Sequence, residues 1–92
     1  MIRRVEITKR AQKQLGRVPA HVRDKLTLWV MAVELEGLEE VRKAPGYYDE
    51  LLKGRRTGQR SIWLSRAYRA IYRVKRDGVE FVSIEEVTKH EY

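Results

Sequence analysis

The sequence predicts an α+β domain: a small antiparallel sheet with an N-terminal strand and two helices packed on one of its faces. Three observations point there. Residues 59–87 alternate apolar and polar side chains, the two-residue period of half-buried strands, with Asp77-Gly78 set between two such runs. Val22, Leu26, Trp29, Val30 and Val33 recur at spacings of three and four, the period of one helical face. Arg3–Ile7 alternates again, just before a helix-start signal. The chain has 92 residues, so a single domain over 1–92 holds all of it.

Each element has a local reason. Val5 and Ile7 share a face of the first strand. Thr8 suits an N-cap, its hydroxyl able to accept a free helix N–H. A short helix follows over Lys9–Leu15 and stops at Gly16. Pro19 suits the first turn of the helix Ala20–Glu36, which Gly37 ends. The acidic run Glu34–Glu40 reads as a solvated face. Ala44-Pro45-Gly46 opens a loop, and Leu51-Leu52 opens a short strand. Gly54–Gly58 is a turn between strands. The next strand, Gln59–Ser65, puts Ile62 and Leu64 on one face and Ser61, Trp63 and Ser65 on the other. Arg66-Ala67 is a tight connection. In the strand Tyr68–Lys75, Ala70, Tyr72 and Val74 face one way and Arg69, Ile71, Arg73 and Lys75 the other. Asp77-Gly78 is expected as a type I′ turn into a last strand over Val79–Val87. The helices then cover one face, leaving Arg69 and its neighbours exposed or half-exposed on the open one.

The charge is unevenly placed. The net charge is +7, and Leu51–Arg76 carries nine Lys or Arg and no Asp or Glu. Like charges repel across a sheet, so the plainest reason to keep such a surface is a polyanion bound to it. There is no cysteine, hence neither disulfide nor thiolate chemistry, which suits a reducing cytoplasm. The N-terminus shows no signal peptide or membrane span. Neither His21 nor His90 has the spacing of a metal ligand, and there is no Gly-rich phosphate loop; no metal or cofactor is expected.

What remains is a basic sheet face with Glu50 at its entrance and His90 and Tyr92 at its exit. Those residue types fit cleavage of RNA by its own 2′-hydroxyl. Such a reaction needs a base for the 2′ proton, an acid for the 5′-oxygen and cations for the charge on phosphorus. Glu50 has the chemistry of the base. An imidazole can hold a proton near neutral pH, which gives His90 the chemistry of the acid. Arg69 can hold non-bridging oxygens with a two-pronged guanidinium.

From Glu50 to Tyr92 the chain resembles the RelE/ParE superfamily of bacterial type II toxins, especially YoeB- and HigB-like mRNA interferases. The resemblance lies in E-L-L-K-G, G-Q-R-S-I-W-L, Y-R-A-I-Y-R-V, the D-G hairpin and a terminal K-H-E-Y. It implies a RelE-like fold, cleavage of mRNA on the ribosome and a cognate antitoxin, held in a toxin–antitoxin hetero-oligomer. It implies Glu50 as general base, Arg69 on the scissile phosphate, and His90 and Tyr92 as a C-terminal pair, either of which is the acid. Lys53 and Arg60 would contact RNA. Arg55, Arg56, Arg66 and Arg73 would add docking charge. Trp63 would stack on a base or meet the antitoxin. Tyr47 and Tyr48, near Glu50, would line the pocket or simply pack in the loop. Two departures stand out: Trp63 replaces a frequent arginine, and Glu91 separates His90 from Tyr92.

Two other readings stay open. A ParE-like gyrase inhibitor shares the scaffold and needs no acid–base set. A non-catalytic basic domain binding RNA or an acidic protein would need the charge but not Glu50.

Overall fold

A computed structural model of the chain describes residues 1–90. Strand β1 (Val5–Ile7) leads into helix α1 (Lys9–Leu15), helix α2 (Ala20–Glu36) and a one-turn helix α3 (Leu38–Val41). Strands β2 (Glu50–Leu51), β3 (Arg60–Trp63), β4 (Tyr68–Asp77) and β5 (Val79–Lys89) complete one five-stranded sheet in the order β1-β5-β4-β3-β2. The meander β2–β5 is antiparallel, and β1 joins it alongside β5 in parallel, so the sheet is mixed. No helix among the described residues is long and apolar enough to cross a membrane.

The helix boundaries follow their caps. The Thr8 hydroxyl accepts the Ala11 N–H at 3.1 Å, and α1 ends at Gly16. Helix α2 buries Val22, Leu26, Trp29 and Val33. Their partners on the sheet are Ile62 and Leu64, Ala70 and Tyr72, and Val82, Ile84 and Val87. Trp29 meets the Tyr72 ring at 5.1 Å.

Four details depart from expectation. Helix α3 follows directly after Gly37, whose φ of 89° turns the chain so that Leu38 and Val41 enter the core. Glu39, exposed like the other acids of the run read as a solvated face, makes one contact beyond that reading: it accepts the Ile2 N–H at 3.0 Å. The Asp77-Gly78 turn is not type I′. That type needs positive φ at both central residues, but only Gly78 has it, and Asp77 pairs with Val79.

The fourth is a β-bulge in β5. Ile71 pairs with Glu86 and Tyr72 with Ile84, leaving Glu85 as an extra residue. The bulge takes up the break in phase between Ile84 and Val87, so both still face the core. It also brings two adjacent carboxylates, Glu85 and Glu86, against the cations of the open face.

Candidate active site

The open face of the sheet holds a cleft of about 220 Å³ between β2, β4 and the end of β5. Glu50, Arg56, Ser61, Arg69, Lys89 and His90 are among the residues lining it. Register explains the gathering. Glu50 opposes Ser61, which opposes Ile71. One residue pair along, Trp63 opposes Arg69, which opposes Thr88. At the exit the His90 N–H donates to the Ala67 carbonyl, which holds the chain end against the β3–β4 connection. Strands lie about 4.8 Å apart and residues two apart along a strand about 7 Å, so the Glu50 and Arg69 backbones stand roughly 12 Å apart, with the cleft between their side chains.

Arg69, expected exposed or half-exposed, is instead buried, with 6% of its surface exposed, because the β3–β4 connection and Trp63 enclose it. Its Nη1 donates to the carbonyls of Ser65 (2.9 Å), Arg66 (3.1 Å) and Tyr68 (3.2 Å). Its guanidinium carbon lies 3.9 Å from the centre of the Trp63 ring. Carbonyl dipoles and a ring face stabilise the cation without neutralising it. No carboxylate among the described residues pairs with it. A buried guanidinium lining a cleft in this state is suited to an incoming anion.

Several other cations have protein partners, which relieves the repulsion that the basic run implied. Arg56 donates to Glu86 at 2.7 Å while still lining the cleft. That bond holds the Glu86 carboxyl below its ordinary value. Arg73 donates to Glu85 at 2.9 Å, and Gln59 donates to the same oxygen at 2.8 Å. Burial pushes the Glu85 carboxyl up, but these two donors outweigh it and the net shift is downward. Arg60 lies on the other face, beside Tyr72 in register, and its Nε donates to Asp49 at 2.6 Å. Burial disfavours its charge, and the Asp49 carboxylate more than compensates. The Tyr72 hydroxyl donates to the second Asp49 oxygen. Burial, with Asp49 beside it, pushes the phenol well above its ordinary value.

The structure therefore brings Glu50, Arg69, His90 and Arg56 together. Arg60 and Arg73 are committed to carboxylates. Lys53 and Arg55 are exposed on the β2–β3 connection and Arg66 on the β3–β4 connection, none of them lining the cleft. Tyr92 lies outside the described residues. Trp63 is half-buried and stacks on Arg69 and also on Tyr48. Sequence reasoning missed Lys89, Asp49 and the Glu85–Glu86 pair. The uneven spacing of Val82, Ile84 and Val87 was the available sign of the bulge. Among the described residues no group of three or more His, Asp or Glu side chains is placed to hold a metal ion.

No protein-family model matches the sequence, and no curated protein matches it. Solved structures do match its fold. A YoeB/ParE toxin from Agrobacterium tumefaciens superposes with a TM-score of 0.72 at 19% identity, over 96% of this chain and 99% of that one. The archaeal RelE–RelB complex from Pyrococcus horikoshii gives 0.72 at 23% identity, over 97% and 96%. The DinJ–YafQ toxin–antitoxin complex from E. coli gives 0.68 at 21% identity, over 97% and 94%. The fold is thus that of RelE-like toxins over essentially the whole chain.

Proposed function

We propose that this chain is the toxin of a type II toxin–antitoxin pair, an endoribonuclease that cuts mRNA on the ribosome. The observation that carries the reading is the cleft itself. It gathers a carboxylate, a buried cation with no carboxylate partner among the described residues and an imidazole, from positions 50, 69 and 90. The fold shared with a structure described as a YoeB/ParE toxin and with one described as a toxin–antitoxin complex supports it.

In this reading Glu50 takes the ribose 2′ proton. The 2′-oxygen attacks the adjacent phosphorus and the bond to the 5′-oxygen breaks. His90 gives that oxygen a proton. The products are a 2′,3′-cyclic phosphate and a 5′-hydroxyl. Arg69, already desolvated and oriented by three carbonyls, stabilises charge on the non-bridging oxygens without reorganising. Arg56 adds a second cation to the cleft, held in place by Glu86. The exposed Lys53, Arg55 and Arg66 serve as docking charge for ribosomal RNA. A cognate antitoxin would hold the protein inactive in the cytoplasm by covering this face.

The test uses purified protein in a translating extract and on free mRNA. Wild type should cut only in the translating extract, and Glu50→Gln and Arg69→Ala should cut at least about 10²-fold more slowly, while both variants keep cooperative thermal unfolding. Cleavage at the wild-type rate by both variants would reject the assignment. Intact mRNA together with inhibited gyrase supercoiling would select the gyrase reading instead.

A further inference from the structure

The segment Tyr47–Glu50 alternates in and out like a strand, although only Glu50 belongs to one. Tyr47 packs against the core, with the Lys25 ammonium 4.7 Å from its ring centre. Asp49 is tied down by Arg60 and Tyr72, its side chain 1% exposed. Between these anchors Tyr48 stays 59% exposed. Its φ of 49° is the only positive value at a non-glycine position among the described residues. An unusual backbone geometry held by its surroundings, at a large exposed aromatic beside a cleft, points to use.

Tyr48 does not stand alone. Its ring meets Trp63 at 4.6 Å and 43°, and Trp63 in turn lies against the Arg69 guanidinium. A continuous stack therefore runs from the buried cation at the cleft to an exposed ring. It sits one residue pair along the strands from the row that carries Glu50, a step of about 7 Å. Asp49 lies beneath the sheet, while the left-handed turn at Tyr48 leaves its ring above it, against Trp63 on the side of Glu50.

We propose that Tyr48 and Trp63 form a stacking platform for an unpaired nucleobase of single-stranded RNA, with Tyr48 as its exposed end. The proposal rests on the nuclease reading for the placing of the scissile phosphate beside Glu50 and Arg69. The platform would hold the adjoining base, so that one nucleotide is gripped at both ends. Aromatic stacking tolerates any base and so gives grip more than sequence choice.

The test is NMR titration with a 2′-O-methyl trinucleotide, which has no 2′-hydroxyl to react, up to millimolar concentration. The Trp63 indole N–H signal, assigned by its loss in Trp63→Phe, should shift. Tyr48→Phe should keep the response. Tyr48→Leu, which retains apolar bulk but no ring, should bind roughly tenfold more weakly. An unmoved indole signal, or wild-type affinity in Tyr48→Leu, overturns the platform. Cleavage in translating extract separates the two claims. A responding indole without cleavage by wild type keeps the platform and rejects the nuclease. Cleavage with an unmoved indole does the reverse.

Discussion

Replacing Asp49 with alanine should destabilise the protein far more than its place in a loop suggests. Its side chain is 1% exposed, and it bridges Arg60, 23% exposed, to the fully buried Tyr72. Breaking a buried ion pair costs about 3–5 kcal/mol because a charge is stranded. Water reaching Arg60 reduces its share to roughly 2–3 kcal/mol. The stranded Tyr72 hydroxyl adds about 1–2 kcal/mol. The sum, about 3–5 kcal/mol, is a large part of the 5–15 kcal/mol typical of a domain. With a urea slope of about 1–3 kcal/mol per molar, the midpoint should fall by roughly 2 M. Tyr72→Phe should lose about 1–2 kcal/mol. The double variant should lose less than the sum of the singles, because both remove the same bond. A midpoint shift in Asp49→Ala below about 0.5 M, or strict additivity, would refute the anchoring role.

Other outcomes follow from the same contacts. Glu50→Gln should slow cleavage by about 10²–10⁴-fold, the usual worth of a general base, with the melting temperature unchanged. Arg69→Lys should not restore an Arg69→Ala loss, since an ammonium cannot fill the planar site against Trp63 and three carbonyls. Glu86 sits below its ordinary value of 4.5 when folded, so the stability it contributes is present above about pH 4.5 and fades as pH falls through the lower folded value. Urea midpoints followed into the acid range should therefore drop less steeply in Glu86→Gln than in wild type. Gly37→Ala should lose about 1–2 kcal/mol in thermal melts, because φ is 89° and a Cβ would meet Met1 at 3.0 Å. Gly46→Ala, with open space around it, should be neutral.

Signals carried by neighbours in sequence were legible. Thr8 and Gly37 bound the helices where their chemistry says, Gly16 closes α1 without a left-handed φ, and the phases of Ile62, Tyr72 and Val82 assign the core face. Glu50, Arg69 and His90 could be chosen as a chemical set before their placement was known. Partnerships between distant residues were not legible. Arg56, Arg60 and Arg73 look alike along a basic run, yet Glu86, Asp49 and Glu85 occupy them. Only strand register and the bulge decide that, and a single extra residue in β5 puts both acidic side chains on the open face instead of one on each. Helix α3 was hidden because four residues carry no helical period; the burial of Leu38 and Val41 makes it. Tyr48 stood open between pocket and packing because its exposure depends on Asp49 being pulled beneath the sheet.

The most direct test of the central claim is the chemistry of the cut ends. mRNA recovered from a translating extract treated with wild-type protein should carry a 2′,3′-cyclic phosphate or its hydrolysed 3′-phosphate on one fragment and a 5′-hydroxyl on the other. Those ends should disappear with Glu50→Gln. Fragments ending in 3′-hydroxyl and 5′-phosphate would contradict attack by the ribose 2′-hydroxyl and, with it, the roles of Glu50, Arg69 and His90.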